Sequence, residues 1–192
     1  MSAISADVGA PLQLLERTFF DRPTIEVAQA LLGVWVVRST LEGVSGGPIV
    51  ETEAYGGPGD QASHARAGLT RRTTPLFGEA GHAYVYLVYG MHSCLNVVAH
   101  GGAVAGAVLI RAIAPVVGVD EIRGRRGRLA DPTDRLCSGP AMVCQGLAVD
   151  RSFDGHDLTL GEGLWLARVV MEPGPRVQSE TQIESGPRIG VN

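Results

Sequence analysis

Two glutamates one residue apart, Glu51 and Glu53, followed at the same spacing by Tyr55, stand in the stretch IVETEAYGGPGDQASH from Ile49 to His64. Side chains alternate along an extended strand, so these three share one face while Val50, Thr52 and Ala54 share the other. Glutamate is a poor strand former and costly to bury, so a half-buried strand rarely carries two of them without a task. Carboxylates beside a phenol can take a proton from water, accept hydrogen bonds or steady a developing cation. Downstream, Arg111 interrupts the apolar run AVLIRAI (107–113), and a cation embedded there needs a carboxylate partner. Each residue also has a plainer reading. Glu53 taken singly is more often a salt-bridged strand residue than a base, and His64 in a loop is most often solvated. Tyr55 and Tyr86 are as often ordinary sheet aromatics, and Asn96 is as readily a turn or edge-strand residue.

The elements that must hold these residues follow from periodicity and punctuation. Asp21 placed to cap, Pro23 near the first turn, apolar residues through Leu32 and Gly33 as a stop predict a helix of about three turns within 19–33. VWVVRS (34–39) predicts a strand, joined through a glycine-rich turn (43–47) to the strand carrying Glu53. Residues 56–81 are loop-like and contain His64; a loop this long inside a compact domain is usually functional or disordered. HAYVYLVYGMHSCLNVVAH reads as a β-hairpin with Tyr89 and Met91 near its tip, an exposed position that suits an anchor for a partner. A helix follows Ser138 over 139–147, and 164–170 reads as a strand. These elements predict one α+β domain over residues 1–192, with residues 1–10 small, polar and disordered.

Composition excludes several classes. No basic n-region with an apolar core follows Met1 and no run of about 18 apolar residues occurs, so a cytoplasmic protein with no membrane partner is expected. Cys94, Cys137 and Cys144 lack CxxC spacing and read as small buried hydrophobes rather than disulfide or zinc ligands. The net charge is −4, yet Gln61–Arg135 holds nine arginines against five acids, an excess of +4 that leaves the remainder at −8. The arginines at 123–128 read as a solvated face. All 16 basic residues are arginine, so a lysine Schiff base is excluded as a route of covalent catalysis. With no cluster of metal ligands, neither a metal nor an organic cofactor is expected, and water is the expected nucleophile.

ETEAYGGPGDQASH, the HAYVYLVYGMHSCLN hairpin, VLIRAI and LCSGPAMVCQGLAV, in that order and spacing, resemble the alkyladenine (3-methyladenine) DNA glycosylases of the monofunctional vertebrate and bacterial type. The resemblance runs from Phe19 to Val191. It implies a single domain around a curved antiparallel β-sheet, with flanking helices and a protruding β-hairpin that enters the DNA minor groove. By resemblance Glu53 is the general base that activates water, Arg111 helps hold that water and the carboxylate, and the Val191 carbonyl completes the water site. Tyr55, His64 and Tyr86 match the walls that sandwich an extruded base, and Asn96 matches the residue that disfavours the 2-amino group of guanine. Tyr89 matches the intercalating wedge, Met91 and His92 flank it, and Arg72 is assigned to phosphate.

The implied activity is hydrolysis of alkylated or deaminated purines (the 3-methyladenine, 7-methylguanine, hypoxanthine and ethenoadenine class) from duplex DNA, by a monomer in the cytoplasm or nucleoid. Two departures stand out. His92 and Ser93 occupy hairpin positions where vertebrate relatives carry aromatics, and those relatives continue past Gly190-Val191-Asn192 with a basic, aromatic closing strand not found in this sequence. Two other functions compete: a non-catalytic sensor of damaged DNA, and a hydrolase of free nucleosides, for which a hairpin wedge would have no use.

Overall fold

The computed structural model describes residues 11–102, 105–170 and 182–191; the expectation of disorder over 1–10 lies outside the described residues. Its strands are β1 (Leu12–Leu14), β2 (Trp35–Thr40), β3 (Gly43–Tyr55), β4 (Ala83–Val88), β5 (His92–Val98), β6 (Ala107–Ile113) and β7 (Leu164–Val169). They form one open antiparallel sheet in the order β1-β7-β2-β3-β6-β5-β4. The helices are α1 (Arg17–Phe20), α2 (Thr24–Ala30), α3 (Val119–Arg126) and α4 (Pro140–Gly146). The architecture is α+β, as the sequence predicts.

Period-two alternation gives the right half of this sheet two different faces. From β4, Ala83 and Val85 enter the main core; from β5, Leu95 and Val97; from β6, Val108 and Ile110. These meet Val27 and Leu31 from around α2, Ile122 of α3 and Val143 and Leu147 from around α4 in one cluster. Each fully buried aliphatic side chain of this kind contributes roughly 1.5–3 kcal/mol of transfer free energy. The residues between them, Tyr84, Tyr86, Asn96, Glu53, Tyr55 and Arg111, therefore stand on the opposite face. There the covering is the long segment 56–81, whose Ala65 and Leu76 pack with Tyr84 and Ala107 in a separate small cluster.

That segment is built rather than loose. Asp60 Oδ1 accepts the N–H of Ala62 and Oδ2 that of Gly56, and Ser63 caps a one-turn 3-10 helix at His64–Ala67 by accepting the N–H of Ala65. Further on, Thr73 Oγ1 accepts the Thr70 N–H at 2.8 Å and donates to the Gly68 carbonyl at 2.7 Å, closing the turn that carries Arg71 and Arg72.

Three expectations need correction. The helix expected over 19–33 is two helices, α1 and α2, because Pro23 lacks an N–H and forces the residue before it out of helical geometry. Asp21 closes α1 instead of capping α2. The glycine-rich segment 43–47 is not a turn but part of β3, the hairpin reversing at Leu41 and Glu42. Glycines occur there because the backbone is crowded: a Cβ on Gly46 would collide with the Val36 carbonyl oxygen, and one on Gly47 with that of Ala114. The arginines of α3 are not a solvated face either. Arg123 donates to the carbonyls of Leu129 and Asp131, Arg125 to Gly146 O and Glu42, and Arg126 to Leu136 O, so they tie the surrounding loops together.

Gly46→Ala is expected to lower stability by about 1–3 kcal/mol, the usual range for overpacking, read as a shift of the urea midpoint at unchanged slope. Gly59→Ala, where added volume meets nothing within 4 Å, serves as the control and stays within about 0.5 kcal/mol of the parent.

Candidate active site

Glu53 is only 8% exposed, and each of its oxygens has a donor. Oε2 accepts the Tyr55 hydroxyl at 2.7 Å, and Oε1 accepts the backbone N–H of Ile189 at 3.0 Å. Arg111 on the neighbouring β6 brings Nε to 3.3 Å from Glu53 Oε1 and 3.2 Å from Glu51 Oε1. That nitrogen is buried and aligned with neither oxygen for a hydrogen bond, so the pairing is coulombic. The embedded cation thus finds both glutamates, and Glu51, whose side chain is 42% exposed, is the outer member of the trio. Burial pushes the Tyr55 phenol up, and its bond to Glu53 pushes it further, so Tyr55 stays a protonated donor.

The segment 182–191 lies across this group and is latched by Arg188. Its guanidinium donates to Asp60 Oδ1 at 2.9 Å, to Asp60 Oδ2 and to the Ala54 carbonyl at 3.1 Å, and sits 4.8 Å from the Tyr55 ring centroid. The forked pair, with a smaller part from the N–H groups of Gly56 and Ala62, holds the Asp60 carboxyl down at about 2. Arg188 is in turn held above its ordinary range, chiefly by Asp60.

Beside Tyr55 a cleft of about 440 Å³, its open mouth included, is lined by Tyr55, His64, Tyr84, Tyr86, Asn96 and Val191. The His64 ring meets Tyr86 edge-on at 4.5 Å between centroids, and its Nδ1 is 2.9 Å from the Tyr84 hydroxyl. Burial, then the nearby Arg72 cation, pushes His64 below its ordinary range, so the imidazole is neutral. Asn96 is buried and donates Nδ2 to the Tyr84 carbonyl at 3.1 Å, leaving its amide oxygen as its remaining polar atom. Burial also drives the Tyr86 phenol up.

Glu53, Arg111, Tyr55, His64, Tyr86, Asn96 and Val191 are therefore brought together. Tyr89, Met91 and His92 are not: they stand at the tip of the β4–β5 hairpin, with Tyr89 89% and Met91 74% exposed. The turn there has φ of 52° at Tyr89 and 70° at Gly90, with the Met91 N–H bonded to the Val88 carbonyl at 3.1 Å, a type I′ geometry. A tyrosine in the left-handed region is uncommon and costs on the order of 1 kcal/mol, a cost that marks functional positions. Arg72 is solvent-exposed at the loop surface, close enough for its charge to act on His64.

Four participants escape the sequence reading. Tyr84 was accessible to it, being two residues from Tyr86 on the same strand face. Asp60 sits in a turn motif, GGPGD, that explains itself without a partner, while Arg188 and Ile189 meet residues more than 120 positions away, which no local pattern reports. Among the described residues no group of three or more His, Cys, Asp or Glu side chains could hold a metal ion, and no helix is long and apolar enough to cross a membrane.

Breaking the bond between a sugar and a planar base asks for a carboxylate close to water and an aromatic slot for the base, and this face of the sheet supplies both. That places the protein among the hydrolases of N-glycosyl bonds. Residues 18–192 match the family described as methylpurine-DNA glycosylase (MPG). A Rubrobacter xylanophilus protein provisionally named 3-methyladenine DNA glycosylase is 52% identical over 162 residues, 84% of this chain and 79% of that one. Human DNA-3-methyladenine glycosylase is 42% identical over 182 residues, 90% of this chain and 59% of the human protein. The mouse protein of the same name is 44% identical over 183 residues, 90% of this chain and 53% of its own length. The chain belongs to the methylpurine-DNA glycosylase family. It is a DNA glycosylase of base-excision repair, with DNA as substrate.

Asp60→Asn removes the charge that latches residues 182–191, and amide exchange at Ile189 is expected to accelerate about tenfold, the factor that about 1.4 kcal/mol supplies. The pH sign follows from the depressed Asp60 value: the latch is intact above the unfolded carboxyl range near 4 and is lost as pH falls through about 2. The variant should therefore show at neutral pH, relative to the intrinsic exchange rate, the loss of protection at Ile189 that the parent shows only in strong acid.

Proposed function

We propose that the chain is a single-domain, monomeric glycosylase that removes alkylated or deaminated purines flipped out of duplex DNA in the cytoplasm or nucleoid, with water as nucleophile and no strand cleavage. Glu53 takes the proton of the attacking water and its charge steadies the oxocarbenium-like state at C1′. Arg111 and the Val191 carbonyl help to hold that water. The single observation that carries this is the buried Glu53 carboxylate, met by Ile189 and Arg111 and hydrogen-bonded to Tyr55, whose ring lines the aromatic cleft.

Tyr55, His64 and Tyr86 sandwich the extruded base, and Asn96 reads its edge. Purines alkylated at N3 or N7 carry positive charge, and aromatic faces stabilise such a cation by on the order of 0.5–2 kcal/mol. The same charge makes the base a good leaving group, so one carboxylate suffices. Tyr89 fills the gap left in the stack, with Met91 and His92 beside it in the minor groove and Arg72 toward the backbone. The exposed, pre-shaped tip favours duplex DNA over a free nucleoside, which offers nothing for a wedge to enter.

Glu53→Gln is expected to slow release of 3-methyladenine or hypoxanthine from duplex DNA by about 10²–10⁴, in single-turnover assays with an unchanged thermal melt confirming the fold. Base release at the parental rate would remove Glu53 from the role. Tyr89→Ala is expected to lower activity on lesion-bearing duplex while sparing the same lesion in single strand. Equal losses on both would speak against wedging.

A further inference from the structure

Strands β3 and β6 break their pairing together beside the site. Cα partners run Ile49 with Ile113, Glu51 with Ala112 and Thr52 with Ile110, so Val50 on β3 and Arg111 on β6 each stand opposite no partner. Two single-residue bulges thus lie side by side, a device that re-aims side chains. Unbroken alternation would set Ile49 on the same face as Glu51, and Ile113 on that of Arg111. Instead both isoleucines pack in the main core while Arg111 meets the two glutamates.

The bulges also decide how Arg111 is aimed. The register of Ile49 with Ile113 and of Thr52 with Ile110, if continuous, would place Glu51 directly opposite Arg111. The shift moves Glu51 to Ala112, and Arg111 Nε comes to rest 3.2 Å from Glu51 Oε1 and 3.3 Å from Glu53 Oε1, hydrogen-bonded to neither. One cation is therefore divided between two carboxylates. A guanidinium closed on a single carboxylate by forked hydrogen bonds is the stronger arrangement, and it makes that carboxylate a poor acceptor of protons.

We propose that Glu51 is a positioning residue that holds Arg111 off a closed pair with Glu53, so that Glu53 stays able to take a proton from water. Among the described residues Arg111 is the only cation at ion-pair distance from Glu51. The other groups around Glu53 cannot do this work. Tyr55 of β3 and the Ile189 N–H only donate to it, and Arg188 of the late segment is clasped to Asp60. Burial first, and the Glu53 charge to a lesser degree, pushes the Cys94 thiol of β5 up, so it stays neutral. The catalytic consequence rests on the reading of Glu53 as general base given above; the division of Arg111 does not.

The test is Glu51→Gln in the full chain, which keeps the size of the side chain and removes its charge. In ¹⁵N–¹H correlation NMR the Arg111 Nε–H signal, assigned by Arg111→Lys, is expected to move downfield as it closes onto Glu53. Single-turnover release of hypoxanthine from duplex DNA is expected to fall about two- to fivefold on its pH plateau, since a weaker base is a slower one. Loss of the neighbouring negative charge favours ionised Glu53, so the acid limb of the profile moves to lower pH. The shift is on the order of half a unit, because water screens the half-exposed Glu51. Glu51→Asp, which keeps the charge, is expected to keep the parental acid limb. A lower plateau with an unmoved limb in Glu51→Gln is what a merely structural contact gives, and it overturns the proposal, as does an unmoved Nε–H signal. Should that signal move while Glu53→Gln releases base at the parental rate, the proposed function fails and the division of Arg111 stands.

Discussion

A charged carboxylate placed under a sheet is unstable unless other groups meet it, and the right half of this molecule is arranged around that requirement. Glu53 draws a cation from β6, a hydroxyl from its own strand and a backbone N–H from residues 182–191. The cation and the N–H come from distant parts of the sequence, so the carboxylate acts as the point where they are registered against its own strand. Arg188 extends the same logic outward: by clasping Asp60 and lying over Tyr55, it ties the loop, the strand and the late segment into one unit.

Charge is partitioned with similar economy. The excess of arginine in the middle of the chain suggests a generally basic surface, but Arg123, Arg125 and Arg126 spend their donors on carbonyls and nearby side chains. What stays exposed is a smaller set, including Arg66, Arg71 and Arg72 on the loop that frames the cleft. A chain of net charge −4 can therefore still meet a polyanion, because exposed guanidinium groups are concentrated on the loop that frames the cleft while Arg123, Arg125 and Arg126 are turned to internal partners.

Much of this was legible before any coordinates. Strand positions for Glu53, Tyr55, Tyr86, Asn96 and Arg111 followed from alternation, and their shared face follows from it too, since period two is a rule of backbone geometry. The hairpin tip at Tyr89 was readable from two β-prone runs around Tyr-Gly. What failed were features decided by long-range crowding. Gly46 and Gly47 look like a turn until Val36 and Ala114 are known to lie against them, and Pro23 divides a helix whose apolar spacing is otherwise continuous. The Arg188–Asp60 clasp and the Ile189 contact join positions far apart in sequence, where neither residue type nor spacing foretells the partner.

Because the pocket and the main core occupy opposite sides of β4, β5 and β6, their separation depends on nothing more than odd and even positions. Displacing β4 by a single residue along β5 would send Ala83 and Val85 toward the cleft and two phenols into the hydrocarbon interior. Such a species would lose its solvent-excluded centre and its aromatic cleft at one stroke. Correct strand alignment is thus proofread by folding itself, and a molecule that has packed this half of its core has, by the same event, set the aromatic side chains of β4 along the cleft.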